Sequence, residues 1–311
     1  MKTKWLKIPI IKATGNLYYA ALQAVSLGIV RHLVWLEKKI GRSRRGFTQD
    51  CLIELCNNQW HTVNLGSGGS TGAPRFSLKL CVSNSLLWFR ADTFHTKEPE
   101  TLEWINSMDQ GATLWDVGAN VGLYSLYAAQ TRQAAVYAYE PSVFNLEVLA
   151  KNIFANGLES KIVIVPVPLS DATECSTFKL SNICNGSACS TFGKDFGFDG
   201  NPLETAFAYS TVGSTGDFLA ANGVVPVPDY IKIDVDGIEH LVLSGMKDVL
   251  SNEKVKSVLI EGNDDFHDQV ATISDIMQKC GFVLQKKVHS EMFSGDTPFS
   301  NTYNQIWVRS A

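Results

Sequence analysis

After about residue 97, the hydrophobic positions fall alternately into strand-like runs and helix-like stripes. Residues 98–105 place Pro99 near a helix start, with acids in its first turn. Leu114 to Val117 is an apolar run interrupted only by Asp116. It passes through Gly118-Ala-Asn-Val-Gly122 into a helical pattern, where Leu123, Leu126 and Tyr127 share one face. Val136 to Glu140 is a second strand ending in a carboxylate. Pro141 fits the first turn of a helix predicted over 145–156, with Phe144, Val148, Leu149 and Ile153 inward and Gly157 at its C-terminal cap. A third strand is predicted over 161–169, a fourth over 230–236 with a turn and helix over 237–246, and a fifth over 255–261. A helix over 264–279 and two pairing strands, 282–288 and 304–309, complete the pattern. Strands alternating with helices predict a doubly wound α/β fold with a mostly parallel sheet.

The first 96 residues read differently. A helix is expected over 15–40, then a basic break from Arg42 to Gly46. Asp50 to Leu65 is rich in strand formers around Leu52, Ile53, Leu55 and Trp60. Residues 66–74 are a Gly/Ser loop. Phe76 to Val82 alternates as a half-buried strand, with Leu86 to Arg90 as its expected hairpin partner. Residues 181–216 are dominated by Asn, Gly, Ser, Thr and Phe. A segment this long inside an α/β domain predicts a functional insertion or lid. The expected division is therefore 1–96, a basic helix with a β-rich extension, and 97–311, the main domain with insertion 181–216.

The Gly turn narrows the chemistry. It is not the dinucleotide pattern G-x-G-x-x-G, because Asn120 and Leu123 occupy the second and third glycine positions. Asp116, just before the turn, would repel a pyrophosphate and suits a cationic ligand. Glu140, 24 residues later, is placed to take the two ribose hydroxyls of an adenosine. Asp171, Asp234, Asp236 and Glu261 also fall at predicted strand ends, beyond which open α/β sheets bind ligands. Six acids along one edge repel one another, and their field favours a cationic ligand.

Asp116 with Gly118-x-Asn120-x-Gly122, then Glu140-Pro141, resembles the class I S-adenosylmethionine (SAM) methyltransferases. Five blocks in order make the resemblance narrower: Trp115-Asp-Val-Gly-Ala-Asn-Val-Gly-Leu-Tyr124, Tyr139-Glu-Pro-Ser142, Pro168-Leu-Ser-Asp171, Gly186-Ser-Ala-Cys-Ser-Thr-Phe-Gly193 and Ile231-Lys-Ile-Asp-Val-Asp-Gly-Ile-Glu-His240. Together they are similar to the FkbM family over about residues 98–309. That resemblance implies a Rossmann-like sheet of seven strands with an antiparallel last strand. It also implies O-methylation, often of sugars, lipids or natural products. Asp116, Gly118, Asn120, Gly122, Glu140, Pro141, Ser170, Asp171 and Asp234 are then the expected cofactor contacts. Asp116 and the loop would hold the methionine end, and Glu140 the ribose. The family typically has Glu where this chain has Asp236.

An acceptor hydroxyl is a weak nucleophile until a base removes its proton. Asp236, Glu239, His240 and Glu261 are the candidates, with His240 equally readable as a helix residue with ordinary partners. An Asp/Glu/His cluster could instead hold a divalent metal, but the tighter signature for one is missing and none is expected. Two other readings stay open: a SAM-fold subunit without catalysis, and a nicotinamide oxidoreductase, against which Asp116 and Asn120 speak.

Charge and cysteines set the surroundings. Residues 1–46 hold ten Lys/Arg against Glu37, a net of +9, so the remainder carries −13 of the overall −4. The overall balance argues against nucleic acid as partner, and the resemblance implies a small-molecule or glycan/lipid-linked acceptor. The apolar run Leu17 to Val30 within the basic segment is too short to span a bilayer, which takes about 20 residues, and no A-x-A-like cleavage site follows it. It predicts an amphipathic helix. Its stripe of Tyr18, Leu22, Val25 and Ile29 suits either peripheral membrane contact or packing on this domain or a second copy in a homo-oligomer. Seven cysteines without C-x-x-C predict reduced thiols and a cytoplasmic setting.

Overall fold

A computed structural model describes residues 16–40, 47–57, 59–65, 76–293, 295 and 297–310. The chain divides into two compact units, Met1–Gln59 and Trp60–Ala311. The first holds helices α1 (Asn16–Ile40) and α2 (Phe47–Asn57). Thr48 joins them, donating through its N–H (2.8 Å) and its hydroxyl (2.7 Å) to the Glu37 carboxylate. Helix α2 lies where strand formers were expected. Cys51, Leu52 and Leu55 recur at helical spacing, and Asp50 supplies the acid that favours a first turn.

The second unit opens with β1 (Trp60–Asn64) and β2 (Ser77–Cys81), paired antiparallel. The expected hairpin partner of β2, Leu86 to Arg90, is instead part of helix α3 (Ser85–Asp92). The Asn84 side chain caps it by accepting from Leu87 N at 2.8 Å, a local bond that outweighs the apolar run's strand propensity.

There follow α4 (Pro99–Ser107), β3 (Thr113–Val117), α5 (Leu123–Arg132), β4 (Ala135–Tyr139), α6 (Val143–Ala155) and β5 (Ile162–Val165). Strand β5 is shorter than the predicted 161–169 because Pro166 and Pro168 bring no N–H to a ladder. Next come β6 (Glu174–Leu180), β7 (Ser190–Phe192), β8 (Phe207–Gly213), α7 (Gly216–Ala221) and β9 (Tyr230–Ile233). The chain closes with α8 (Glu239–Ser244), α9 (Lys247–Ser251), β10 (Ser257–Asn263), α10 (His267–Lys279), β11 (Phe282–Val288) and β12 (Thr302–Arg309).

Seven strands form one sheet in the order β11-β12-β10-β9-β3-β4-β5. Pairing is parallel from β10 through β5, and β12 runs antiparallel to both β10 and β11. This is the Rossmann-like, mostly parallel sheet with an antiparallel last strand that the resemblance implied. Alternate residues feed opposite faces. Leu114, Val136, Ala138 and Leu259 pack under α5 and α6 on one side, while Trp115, Val117, Ile231, Val258 and Ile260 pack under α8 and α9 on the other. A sheet buried on both faces accounts for the nearly continuous apolar strands.

Segment 181–216 holds two strands of a three-stranded antiparallel sheet, β7-β6-β8. The order in β3 reverses here: sequence moves outward to β4 and β5 on one side, then to β9 and β10 on the other. That switch places the ligand-binding crevice beyond the carboxyl ends of β3 and β9.

Candidate active site

The turn after β3 is held backbone to backbone. Gly118 N and Ala119 N both donate to Tyr139 O, at 3.0 and 2.9 Å. A Cβ on Gly118 would lie 1.8 Å from Asp234 O, so only glycine lets this turn sit against the end of β9. Asn120 adopts φ +53°. Its N–H donates to Glu140 Oε2 at 2.8 Å, and Ser142 N donates to Oε1 at 2.7 Å. Burial nonetheless pushes the Glu140 carboxyl up to about 8, against the pull of those two N–H groups.

Asp116 is fully buried. Ser125 Oγ donates to its Oδ2 at 2.6 Å, and its Oδ1 accepts no hydrogen bond. Asn120 Oδ1 is likewise buried and unmet. Across the ladder from Asp116 stands Lys232, a lysine only 2% exposed in the middle of β9. Its ammonium donates to Asp234 Oδ2 at 2.7 Å and lies 5.1 Å from the Tyr124 ring centroid. Tyr124 in turn donates to Glu98 Oε2 at 2.9 Å, and Lys97 pairs with Glu98. Burial alone would raise Glu98, but the Lys97 and Lys232 charges outweigh it and hold the carboxyl well below its usual range. Several of these groups line an open cleft formed by Arg90, Lys97, the Gly118–Val121 turn, Tyr124, Lys232 and Asp234.

On the other side of β9, among the described residues, no lysine or arginine is hydrogen-bonded to the acids, although Arg90 and Lys97 act on Asp236 and Glu261 from a distance. Asp236 sits at φ +60° and accepts from Cys189 N (2.8 Å) and Ser190 N (3.3 Å). Burial, and then the Asp234 charge, raise it to about 6. Glu239 is buried and accepts from Val235 N (3.0 Å), Gly237 N (3.1 Å) and Gln269 Nε2 (2.6 Å), with burial raising it to about 7. Glu261, inside β10 rather than at its end, lines a small, partly open pocket with Glu239, Phe198 and Gln269. Burial, then Asp234, push it well above its usual value. His240 lines neither cavity. It packs edge-on to Phe266, its Nδ1 is buried without a partner, and burial lowers it.

Of the remaining expected contacts, Pro141 follows β4, while Ser170 and Asp171 lie past the 166–169 segment rather than at the end of β5, with Ser170 N donating to Ser214 O at 2.9 Å after β8. Pro141 O accepts from Tyr209 OH at 2.6 Å, which ties β8 to this edge. Ser170 is buried and its Oγ donates to the exposed Asp171 at 3.0 Å. A Cβ on Gly122 would meet Leu149 Cδ1 at 2.4 Å, so this glycine serves close packing of α6.

The loop before β7 is strapped across the edge. Asn84 holds Asn185 O (2.9 Å), Arg90 holds Gly186 O (2.7 Å), and Asn120 and Asn145 hold Ser187 O (2.8 and 3.1 Å). With Asp236 on Cys189 and Ser190, the Gly-Ser-Ala-Cys-Ser block thus touches both sides of the crevice. Sequence reading missed Lys232, Arg90, Lys97, Glu98, Tyr124 and Asn145. Lys232 carried a legible signal: a cation inside a fully apolar strand requires a buried carboxylate, and Asp116 and Asp234 were at hand.

The donor set fits SAM. The unmet Asp116 and Asn120 oxygens, the Gly118 cradle and the strand-end carboxylates offer acceptors to a polar, cationic ligand that also carries ribose hydroxyls. The model of the methyltransferase FkbM domain matches residues 116–284, more than half of the chain. The chain belongs to the FkbM methyltransferase family. That membership agrees with the five sequence blocks and sets the nicotinamide reading aside. The hexuronic acid methyltransferase AglP of Haloferax volcanii is 26% identical over 172 residues, which is 55% of this chain and 65% of that protein, just under two thirds of its length. Among solved structures, methyltransferase FkbM from Methylobacillus flagellatus KT aligns at TM-score 0.44 and 14% identity, covering 72% of this chain and 52% of that one. Precorrin-6y C5,15-methyltransferase from Geobacter metallireducens GS-15 aligns at TM-score 0.41 and 11% identity, covering 69% and 87%.

Proposed function

We propose that this FkbM-family chain is a SAM-dependent O-methyltransferase acting on a sugar hydroxyl, with a hexuronate-bearing glycan as the acceptor class. One observation carries the reading: the end of β9 separates a cleft bordered by Asp234 and the Gly118 turn from a carboxylate, Asp236, whose affinity for protons lies near neutrality. The name of the Haloferax relative supports the acceptor class. SAM would supply an activated methyl group. The chain's task is then to align the acceptor oxygen and take its proton.

In this reading Glu140 binds the ribose, with Pro141, Ser170 and Asp171 flanking the adenosine end. Asp116, Gly118, Asn120, Gly122 and Asp234 form the methionine end. Asp236 removes the hydroxyl proton. Glu239 and Glu261 act from behind it: Glu239 fixes the 235–237 turn through the N–H groups it accepts from, and Glu261 lines the small pocket beside Glu239. His240 keeps only a packing role.

The test offers methyl-labelled SAM to the purified chain with a glucuronate-terminated glycan and its neutral-hexose counterpart. Label should appear on the uronate glycan. Asp236→Asn should still bind S-adenosylhomocysteine by calorimetry while transfer slows by about 10²–10⁴. Binding without transfer to either glycan, or to components of a cell extract, would leave a non-catalytic SAM-binding subunit as the better account. Unchanged transfer by Asp236→Asn would pass the base role to Glu261.

We also propose that residues 1–46 hold the enzyme at the anionic cytoplasmic face of a membrane, near a lipid-linked acceptor. Among the described residues no helix is long and apolar enough to cross a membrane. Val25, Ile29, Leu33 and Leu36 of α1 recur at helical spacing and are all exposed, in a segment of net charge +9. Flotation with anionic liposomes should recover the protein at low salt and lose it at high salt. Protein left in the aqueous fraction at low salt would favour an intramolecular or subunit contact for this helix.

A further inference from the structure

We propose that Arg90 binds the carboxylate at the amino-acid end of the cofactor, so that α3, which lies outside the family-matched region, completes the cofactor site. The inference rests on the SAM reading above. The charged groups in the cleft and just behind it are unequal in what they already hold. Glu98 is engaged by Lys97 and Tyr124, and Asp234 by Lys232. Arg90 spends only its Nε, on Gly186 O. Among the described residues no carboxylate pairs with its guanidinium, and its terminal nitrogens hold no hydrogen bond to protein. The side chain is half-buried and lines the cleft together with the Gly118–Val121 turn and Asp234.

Geometry directs the ligand's ends. Glu140 lies on the β4 side of the Gly turn, where an adenosine ribose belongs. The other end of the molecule must then extend toward β9, into the cleft that Asp234 and Arg90 share. That end of SAM carries an ammonium and a carboxylate. Asp234 is the matching anion for the first. The free fork of Arg90 matches the second, because a guanidinium meets a carboxylate through two parallel N–H···O bonds. The Nε bond to Gly186 also means that the residue gripping the ligand is one of those that fasten the 184–190 strap.

A carboxylate at Arg90 has two sources, the cofactor and a uronate acceptor, and the experiment separates them. Calorimetry compares S-adenosylhomocysteine with 5′-methylthioadenosine, which keeps the adenosine and thioether but lacks the amino-acid group. Arg90→Gln should bind S-adenosylhomocysteine about 10- to 100-fold more weakly, the size expected for a charged hydrogen-bonded contact, and methylthioadenosine as well as wild type does. Arg90→Lys, which keeps the charge without the fork, should fall between, and it serves as the reporter if the Gln variant does not fold. Equal losses for both ligands would overturn the proposal, since they would mean damage to the strap or the whole site. Unchanged S-adenosylhomocysteine binding with a raised KM for the uronate glycan would also overturn it and assign the carboxylate to the acceptor. Wild-type protein that binds neither nucleoside would instead overturn the SAM reading itself.

Discussion

Two groups of acids flank the end of β9, and they are held in opposite ways. Toward α3 and α4, Glu98 and Asp234 each meet a lysine, and Lys232 is buried to provide one. Toward β10 and α10, Asp236 is met by backbone N–H groups and Glu239 by backbone N–H groups and a glutamine amide, and among the described residues no lysine or arginine is hydrogen-bonded to Asp236, Glu239 or Glu261. Burial acts on both groups. Only where a cation is built in does it fail to raise the carboxyl, as at Glu98. The lesson is that neighbouring acids on one sheet edge need not share a role. An acid matched as Glu98 is stays charged, while Asp116, facing Lys232 across the ladder, is still raised by burial. A cation-free one keeps or releases its proton near neutral pH, which is what proton transfer needs.

Removing the built-in cation strikes this contrast hardest. Lys232→Met leaves Asp234 and Asp116 without their charge partner in a buried setting, a loss of about 3–5 kcal/mol. Chemical denaturation of the variant should show a correspondingly lower midpoint. A midpoint equal to that of wild type would mean that these acids are not held by charge pairing, and the contrast would collapse.

The pH dependence of stability offers a smaller but sharper probe, because the two groups should give opposite signs. The folded Glu239 holds a proton up to about 7, against 4.5 ordinarily, so its contribution is fully present below 4.5 and is lost as pH rises through 7. Glu98 is lowered, so its contribution is present above 4.5 and is lost only as pH falls below that value. Between pH 5 and 8 the Glu239 effect acts without the other. Glu239→Gln removes the titrating group, and its thermal midpoint should fall less across this range than that of wild type. At about 1.4 kcal/mol per unit the difference amounts to about 2–3 kcal/mol. Parallel curves for the two proteins would place Glu239 outside the cation-free group.

The sequence made the sheet readable because its strands are buried on both faces and its helices on one, so periodicity separated them. It misled where local bonds overrode propensity, as with the Asn84 cap that turned 85–92 into a helix, and where prolines cut β5 short. Asp116, Gly118 and Glu140 were legible because a turn between parallel strands leaves few residue types that fit. The contrast across β9 was not. It depends on residues 84–98 and 184–190 arriving from far along the chain, and periodicity says nothing about which lysine meets which acid.

Asp236 carries a consequence beyond its chemistry. Its backbone lies in the left-handed region, at φ +60°, which costs a non-glycine residue roughly 1–2 kcal/mol and is easiest for Asp or Asn, whose short side chains bond locally. The shorter acid at the position where the family typically has Glu is therefore the one better suited to this backbone. Selection for heat tolerance would favour glycine there, and glycine would relax the turn while deleting the carboxylate. On the role proposed for Asp236, stability and turnover compete at a single residue, and a thermostable variant would have to gain its margin elsewhere in the fold.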